Sequence, residues 1–174
     1  MIPGPGQRTP TAGASMMPEL FRYCFPETMI TVRNPKPYMD ERMTNYAFEY
    51  GFKFEMELRY DTDRQFVRND EDPEKRIYAK KVADLRRKYE KYLLQGIFRA
   101  DEGIERSNMY ANIFAAADGS RAVALWNDSE QEVIPELMLT CGHPIAWENA
   151  DGEKGSALPE RMTPNSIAIV LLGD

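Results

Sequence analysis

The stretch GFKFEMELRY, residues 51–60, alternates without a break after its first glycine. Phe52, Phe54, Met56 and Leu58 fall on one side of an extended chain, and Lys53, Glu55, Glu57 and Arg59 fall on the other. Its neighbours decide what kind of strand this is. Immediately before it, DERMTNYAFEY at 40–50 places Met43, Tyr46, Ala47 and Tyr50 at i, i+3, i+4 and i+7, with acids at the start and Gly51 at the end. That spacing predicts a helix. Earlier still, TMITVRN at 28–34 puts Thr28, Ile30 and Val32 on one side and is stopped by NPKP, which predicts another strand. Residues 28–60 therefore read strand, helix, strand, the unit that makes two strands parallel.

Downstream, Asp72 suits an N-cap, Pro73 the first helical position and Gly96 the C′ position of a long helix. Tyr78, Val82, Leu85, Tyr89, Tyr92 and Leu93 form its apolar stripe. The opposite face carries Lys80, Lys81, Arg86, Arg87, Lys88 and Lys91 broken by Asp84 and Glu90, which reads as a solvated face and not a basic patch. After residue 98 the pattern changes to short strands and turns. MYANIFAA and RAVALWN flank ADGS and predict a hairpin, and EVIPELML and NSIAIVLLG supply further strands. The expected division is a flexible or disordered lead-in over 1–17, rich in Pro, Gly, Ser and Thr, then a β-α-β-α segment over 18–98 and an antiparallel β-domain over 99–174.

Composition narrows the function classes. The chain has 174 residues, 43% of them hydrophobic, and a net charge of −6, which argues against a phosphate-backbone binder and so against a nucleic-acid partner. The longest apolar run, IAIVLL at 167–172, is strand length, so no membrane span is expected. Cys24 and Cys141 are far apart and outside any CxxC spacing, and His143 in CGHPIAW has no second histidine. Neither a disulfide framework nor a metal site is implied. Nucleotide-loop, zinc-protease and serine-elbow strings are absent, and no cofactor or compartment is indicated.

Two parallel strands with two helices make too little core for a complete sheet. The missing strands could come from the C-terminal unit, giving a mixed α/β domain, or from sequence upstream. The order PELFRYCFPETMITVRNP, RMTNYAFEYGFKFEMELRY, LRRKYEKYLLQGIFRADEGI and then AVALWN resembles the C-terminal part of glycosidase-like (β/α)8-barrel proteins with an appended β-domain, near the α-galactosidase and α-amylase type. The resemblance implies the last two β-α units of a barrel followed by a small antiparallel β-domain, with about six barrel strands outside this chain. It implies a carbohydrate substrate, cleavage of a glycosidic bond by two carboxylates without a cofactor, and catalytic acids in the absent strands. The open edge of strand 28–34 would favour self-association of such a fragment.

In such a barrel Glu57 and Arg59 would lie nearest the sugar, with Glu55 behind them and Arg33 and Asn34 closing the earlier strand toward substrate. Glu55 and Glu57 are about 6.5–7 Å apart along a strand, between the retaining and inverting separations, so they are not read as a catalytic dyad. The other reading of 51–60 is a half-exposed antiparallel strand with its charges in water. The corresponding second function is a non-catalytic α+β module whose aromatic surface, including Trp147, holds carbohydrate or another protein. Trp126, at the end of an apolar strand, is expected in the core.

Overall fold

The computed structural model describes residues 18–34, 41–56 and 73–174. The element order is α1 (Pro18–Cys24), β1 (Thr31–Asn34), α2 (Glu41–Glu49), β2 (Lys53–Met56), α3 (Pro73–Lys88), α4 (Glu90–Leu93), β3 (Ile97–Ala100), β4 (Ile104–Ser107), β5 (Tyr110–Ala115), β6 (Arg121–Trp126), β7 (Leu137–Leu139), β8 (His143–Asn149), β9 (Lys154–Gly155) and β10 (Ile167–Gly173). Six strands form one sheet in the order β3-β5-β6-β10-β8-β9, every neighbouring pair antiparallel. β4 and β7 pair antiparallel in a small second sheet. β1 and β2 pair parallel, with Arg33 opposite Glu55 and Asn34 opposite Met56.

This architecture corrects the expected fold class: the chain is not the end of a (β/α)8 barrel. The parallel pair exists, but α2 packs across β5, β6 and β10 of the antiparallel sheet as well as against β2. The reason lies in the two central strands, which are apolar on both faces. On the helical face, β6 and β10 present Ala122, Ala124, Trp126, Ile167 and Ile169. On the other face they present Val123, Leu125, Ala168, Val170 and Leu172, covered by Ile104, Leu137 and Leu139 of the small sheet and by Leu158 and Met162. A strand buried on both sides needs two covering layers. Here helices supply one and the β4–β7 pair with its neighbouring loop supplies the other.

Two alanines, Ala122 and Ala124, make the helical face shallow enough to seat α2. Thr44 through Glu49 are all buried, so beyond its first turn this helix is enclosed on every side and not only along one stripe. Enclosure forces its polar side chains to find partners. Asn45 Nδ2 donates to the Asn165 carbonyl oxygen at 2.6 Å and to Asn165 Oδ1 at 3.1 Å, while the Tyr78 hydroxyl donates to Asn45 Oδ1 at 2.6 Å. Trp126 Nε1 donates to the same Asn165 Oδ1 at 3.2 Å, which ties α2, α3, β6 and the turn before β10 into one network. Asn165 has φ +52°, a conformation that asparagine tolerates better than most residues.

The end of α2 follows from Gly51, as its sequence position predicts. The Phe52 N–H bonds the Ala47 carbonyl at 2.8 Å and the Gly51 N–H bonds that of Phe48 at 3.0 Å, with Gly51 at φ +65°. This is a Schellman closure. Arg86 of α3 donates to the Gly51 and Phe52 carbonyls, locking the turn from outside. Gly96 works differently from expectation. Its φ is not left-handed; a Cβ there would lie 2.3 Å from the Tyr92 carbonyl oxygen, so close backbone approach requires the glycine.

The expected solvated face of the long helix carries ion pairs, Lys80 with Asp84, Lys81 with Asp151 and Lys88 with Glu148, but Arg86, expected on that face, is buried against the Gly51 turn. The expected hairpin is β5–β6, turned at Gly119 with φ +84°. Cys24 and Cys141 are both free thiols. Among the described residues no helix is long and apolar enough to cross a membrane.

Gly51 and Gly119 make a paired test of this account. Gly119→Ala meets no atom within 4 Å, so it carries backbone strain alone, about 1 kcal/mol. Gly51→Ala adds a contact of 2.7 Å between the new Cβ and Phe114 Cε1, for a total loss of roughly 2–4 kcal/mol. Urea denaturation of the two variants should show the larger drop in midpoint for Gly51→Ala; equal drops would contradict the tight seating of this turn on β5.

Candidate functional site

The sequence-predicted residues fall in two places. Arg33 and Asn34 lie on β1 and Glu55 on β2, with Arg33 and Glu55 brought opposite each other by the parallel register. Glu57 and Arg59 lie outside the described residues. Trp126 is core, stacked on Tyr110 with ring centroids 5.1 Å apart. Trp147 is half-buried against the second core cluster, with the Gly155 backbone of β9 close to its indole nitrogen. His143 opens β8 and is exposed.

A substantial concavity among the described residues lies elsewhere. A cleft of about 360 Å³ is walled by Tyr23 of α1, Tyr50 after α2, Tyr110 and Asn112 of β5, and by Asp101 and Asp128 from the turns after β3 and β6. That volume is within the range of small-molecule sites. Its rings are fixed. Tyr50 stacks on Phe52 at 5.5 Å with 13° between planes, and Tyr110 stacks on Trp126. Tyr23 packs edge-on against Phe98, with ring centroids 5.5 Å apart. The rim is fixed as well: Asn108 donates to the Ile134 carbonyl at 2.9 Å and accepts the Glu136 N–H at 3.0 Å. Asp101 follows a bulge in β3 at which Ala100 holds φ +52°, a strained conformation for alanine.

Behind the cleft floor sits Glu49, fully buried at the last position of α2. Asn112 Nδ2 donates to its Oε1 at 3.0 Å, and its Oε2 has no hydrogen-bond partner. Burial drives the carboxyl pKa well above its ordinary 4.5, opposed by the Asn112 bond. The group is therefore neutral where a surface glutamate is charged. Tyr23, Tyr50 and Tyr110 all feel Glu49, and burial is the first cause that raises each of their pKa values. The cleft thus combines phenol walls with a neutral floor. Its charges are at the rim, where Asp101, Glu105 and Asp128 face one guanidinium, that of Arg106. Arg106 pairs with Glu136, and Arg42 pairs with Asp128 at 3.1 Å.

Sequence reasoning passed over Glu49, Asn112 and the three tyrosines. Tyr50 was legible only as one member of a helical stripe. The available signal was Glu49 itself, a carboxylate between Phe48 and Tyr50 in the half of the helix that packs inward. No protein-family model matches the chain, and no curated protein matches it.

Glu49 gives a signed pH effect. The folded state holds a proton that the unfolded chain releases above about pH 4.5, so the contribution to stability is intact below that value and is lost as pH rises toward the folded pKa. The slope is at most about 1.4 kcal/mol per pH unit. As pH rises from about 4.5, the unfolded value, toward neutrality, the wild-type urea midpoint should fall relative to that of Glu49→Gln. Parallel profiles would contradict a neutral, buried Glu49.

Proposed function

We propose that this chain is a non-catalytic carbohydrate-binding module whose ligand occupies the tyrosine cleft. The single observation that carries the reading is the set of three tyrosines, Tyr23, Tyr50 and Tyr110, held by ring contacts to Phe98, Phe52 and Trp126 around a cleft with Asn112 in its wall. Sugar rings offer C–H faces that pack on aromatic rings and hydroxyls that pair with planar amides and carboxylates. Pre-fixed rings lose little entropy on binding. Asn112 commits its Nδ2 to Glu49, so its Oδ1 is the atom left to accept from a ligand hydroxyl.

The rim selects among sugars. With Asp128 paired to Arg42 and Arg106 paired to Glu136, Asp101 and Glu105 leave the rim net negative, which disfavours uronic or sialic acids and favours neutral glycans. Glu49 is wholly buried and acts on the ligand through Asn112, without touching it. Glycosidic cleavage, which the barrel resemblance implied, loses its structural footing with the barrel, and carbohydrate remains as the class of ligand.

Screening the folded protein against a panel of neutral and acidic glycans, followed by calorimetry on the best ligand, tests this. Neutral glycans should bind, and Tyr110→Ala should weaken binding roughly tenfold while the circular dichroism spectrum is retained. No glycan binding, or binding indifferent to both Tyr23→Ala and Tyr110→Ala, would overturn the proposal.

A further inference from the structure

A second, smaller cavity of about 90 Å³ lies where α1, the α2–β2 turn and the α4–β3 turn meet, walled by Arg22, Glu27, Thr28, Gly51, Arg86 and Gly96. Its volume is several times the ~10–15 Å³ that a single water requires. Arg22 is its anomaly. Only 4% of this residue is exposed, its guanidinium lies over the Phe98 ring at 5.0 Å, and Nη1 donates to the Thr28 carbonyl at 2.7 Å. Nε is buried without a hydrogen-bond partner, and Arg22 makes no ion pair with any described residue. The acid that acts on it, Glu27, is exposed at the cavity wall.

A buried guanidinium without an ion-pair contact is costly, and its Nε–Nη2 edge is the fork that grips an oxyanion with two parallel hydrogen bonds. In Arg22 that edge carries the unpartnered Nε, while Nη1 is the nitrogen spent on Thr28. Gly51 helps to keep it open: a Cβ there would stand 3.2 Å from Arg22 Nη2. Arg86 lines the same cavity while its own terminal nitrogens hold the Gly51 and Phe52 carbonyls. Burial first, and the charge of Arg22 second, push the Arg86 pKa down to about 10, which records how close the two guanidiniums lie.

We propose that this cavity binds a phosphate-class oxyanion through the Nε–Nη2 edge of Arg22, with Arg86 in the opposing wall. The anion would join α1 to the α2–β2 turn, and so to the element that carries Tyr23 and the one that carries Tyr50. The site is independent of the carbohydrate reading, since it neither shares a ligand class with the cleft nor requires the cleft to be filled.

The test is a titration of the full chain with inorganic phosphate against sodium chloride at equal ionic strength. It is read by phosphorus-31 linewidth and by the thermal midpoint. Phosphate should broaden its resonance saturably and raise the midpoint beyond chloride. Arg22→Gln should weaken phosphate about tenfold, and Glu27→Gln, an exposed change that removes the nearby negative charge, should tighten it. Phenyl phosphate distinguishes the source: binding as tight as inorganic phosphate points to a phosphorylated ligand whose body extends out of the cavity, and exclusion points to the free anion. A linewidth that ignores the protein, a midpoint that chloride reproduces, or an affinity unchanged by Glu27→Gln would overturn the site, whether or not Arg22→Gln folds.

Discussion

The surrounding elements have to accommodate one helix that is enclosed on all sides beyond its first turn. From Thr44 to Glu49 α2 has no solvent face, so its polar groups as well as its apolar ones must be met by other elements. Asn45 is answered by Asn165 and Tyr78, and Glu49 by Asn112. These contacts come from the turn before β10, from α3 and from β5, which lie far apart in sequence. A helix that needs three such partners is satisfied in few arrangements of the surrounding sheet, and its position then sets the position of Tyr50 and of the cleft.

Much of this was legible at the level of elements and little of it at the level of assembly. The end of α2 could be read from Gly51, the hairpin from its Asp-Gly turn, and the parallel β1–β2 pair from the strand-helix-strand order. The barrel expectation failed because the core missing from the parallel pair was sought in upstream strands, whereas α2 packs on the C-terminal antiparallel sheet. RAVALW and IAIVLL carry a doubly buried antiparallel sheet, and the alanines on its helical face, Ala122 and Ala124, are what α2 rests on. Alanine at a strand position looks like weak β propensity, whereas here its value is shape.

The candidate site was less legible still. The alternating charges of 51–60 drew attention to Glu55, Glu57 and Arg59, but no described wall of the cleft uses β2. The cleft is assembled from Tyr23 of α1, Tyr50 just after α2, strands β4 and β5 and the turns beside them, and none of these residues stands out by spacing. Glu49 had the one local signature, a carboxylate set among residues that pack inward. Its meaning depends on full burial and on Asn112, and both are properties of the fold. Arg22 is a parallel case, an ordinary helix arginine in sequence whose burial in the fold leaves one edge without a partner.

Native-state hydrogen exchange tests the enclosure of α2 most directly. If this helix is the element around which the sheet and the other helices close, the amides of Asn45–Tyr50 exchange only through global unfolding, with the same free energy and denaturant dependence as the central amides of β6 and β10. Exchange of α2 through a cheaper, partial opening while β6 and β10 stay protected would contradict that account, and would show the helices to be a unit that comes away from an independently stable sheet.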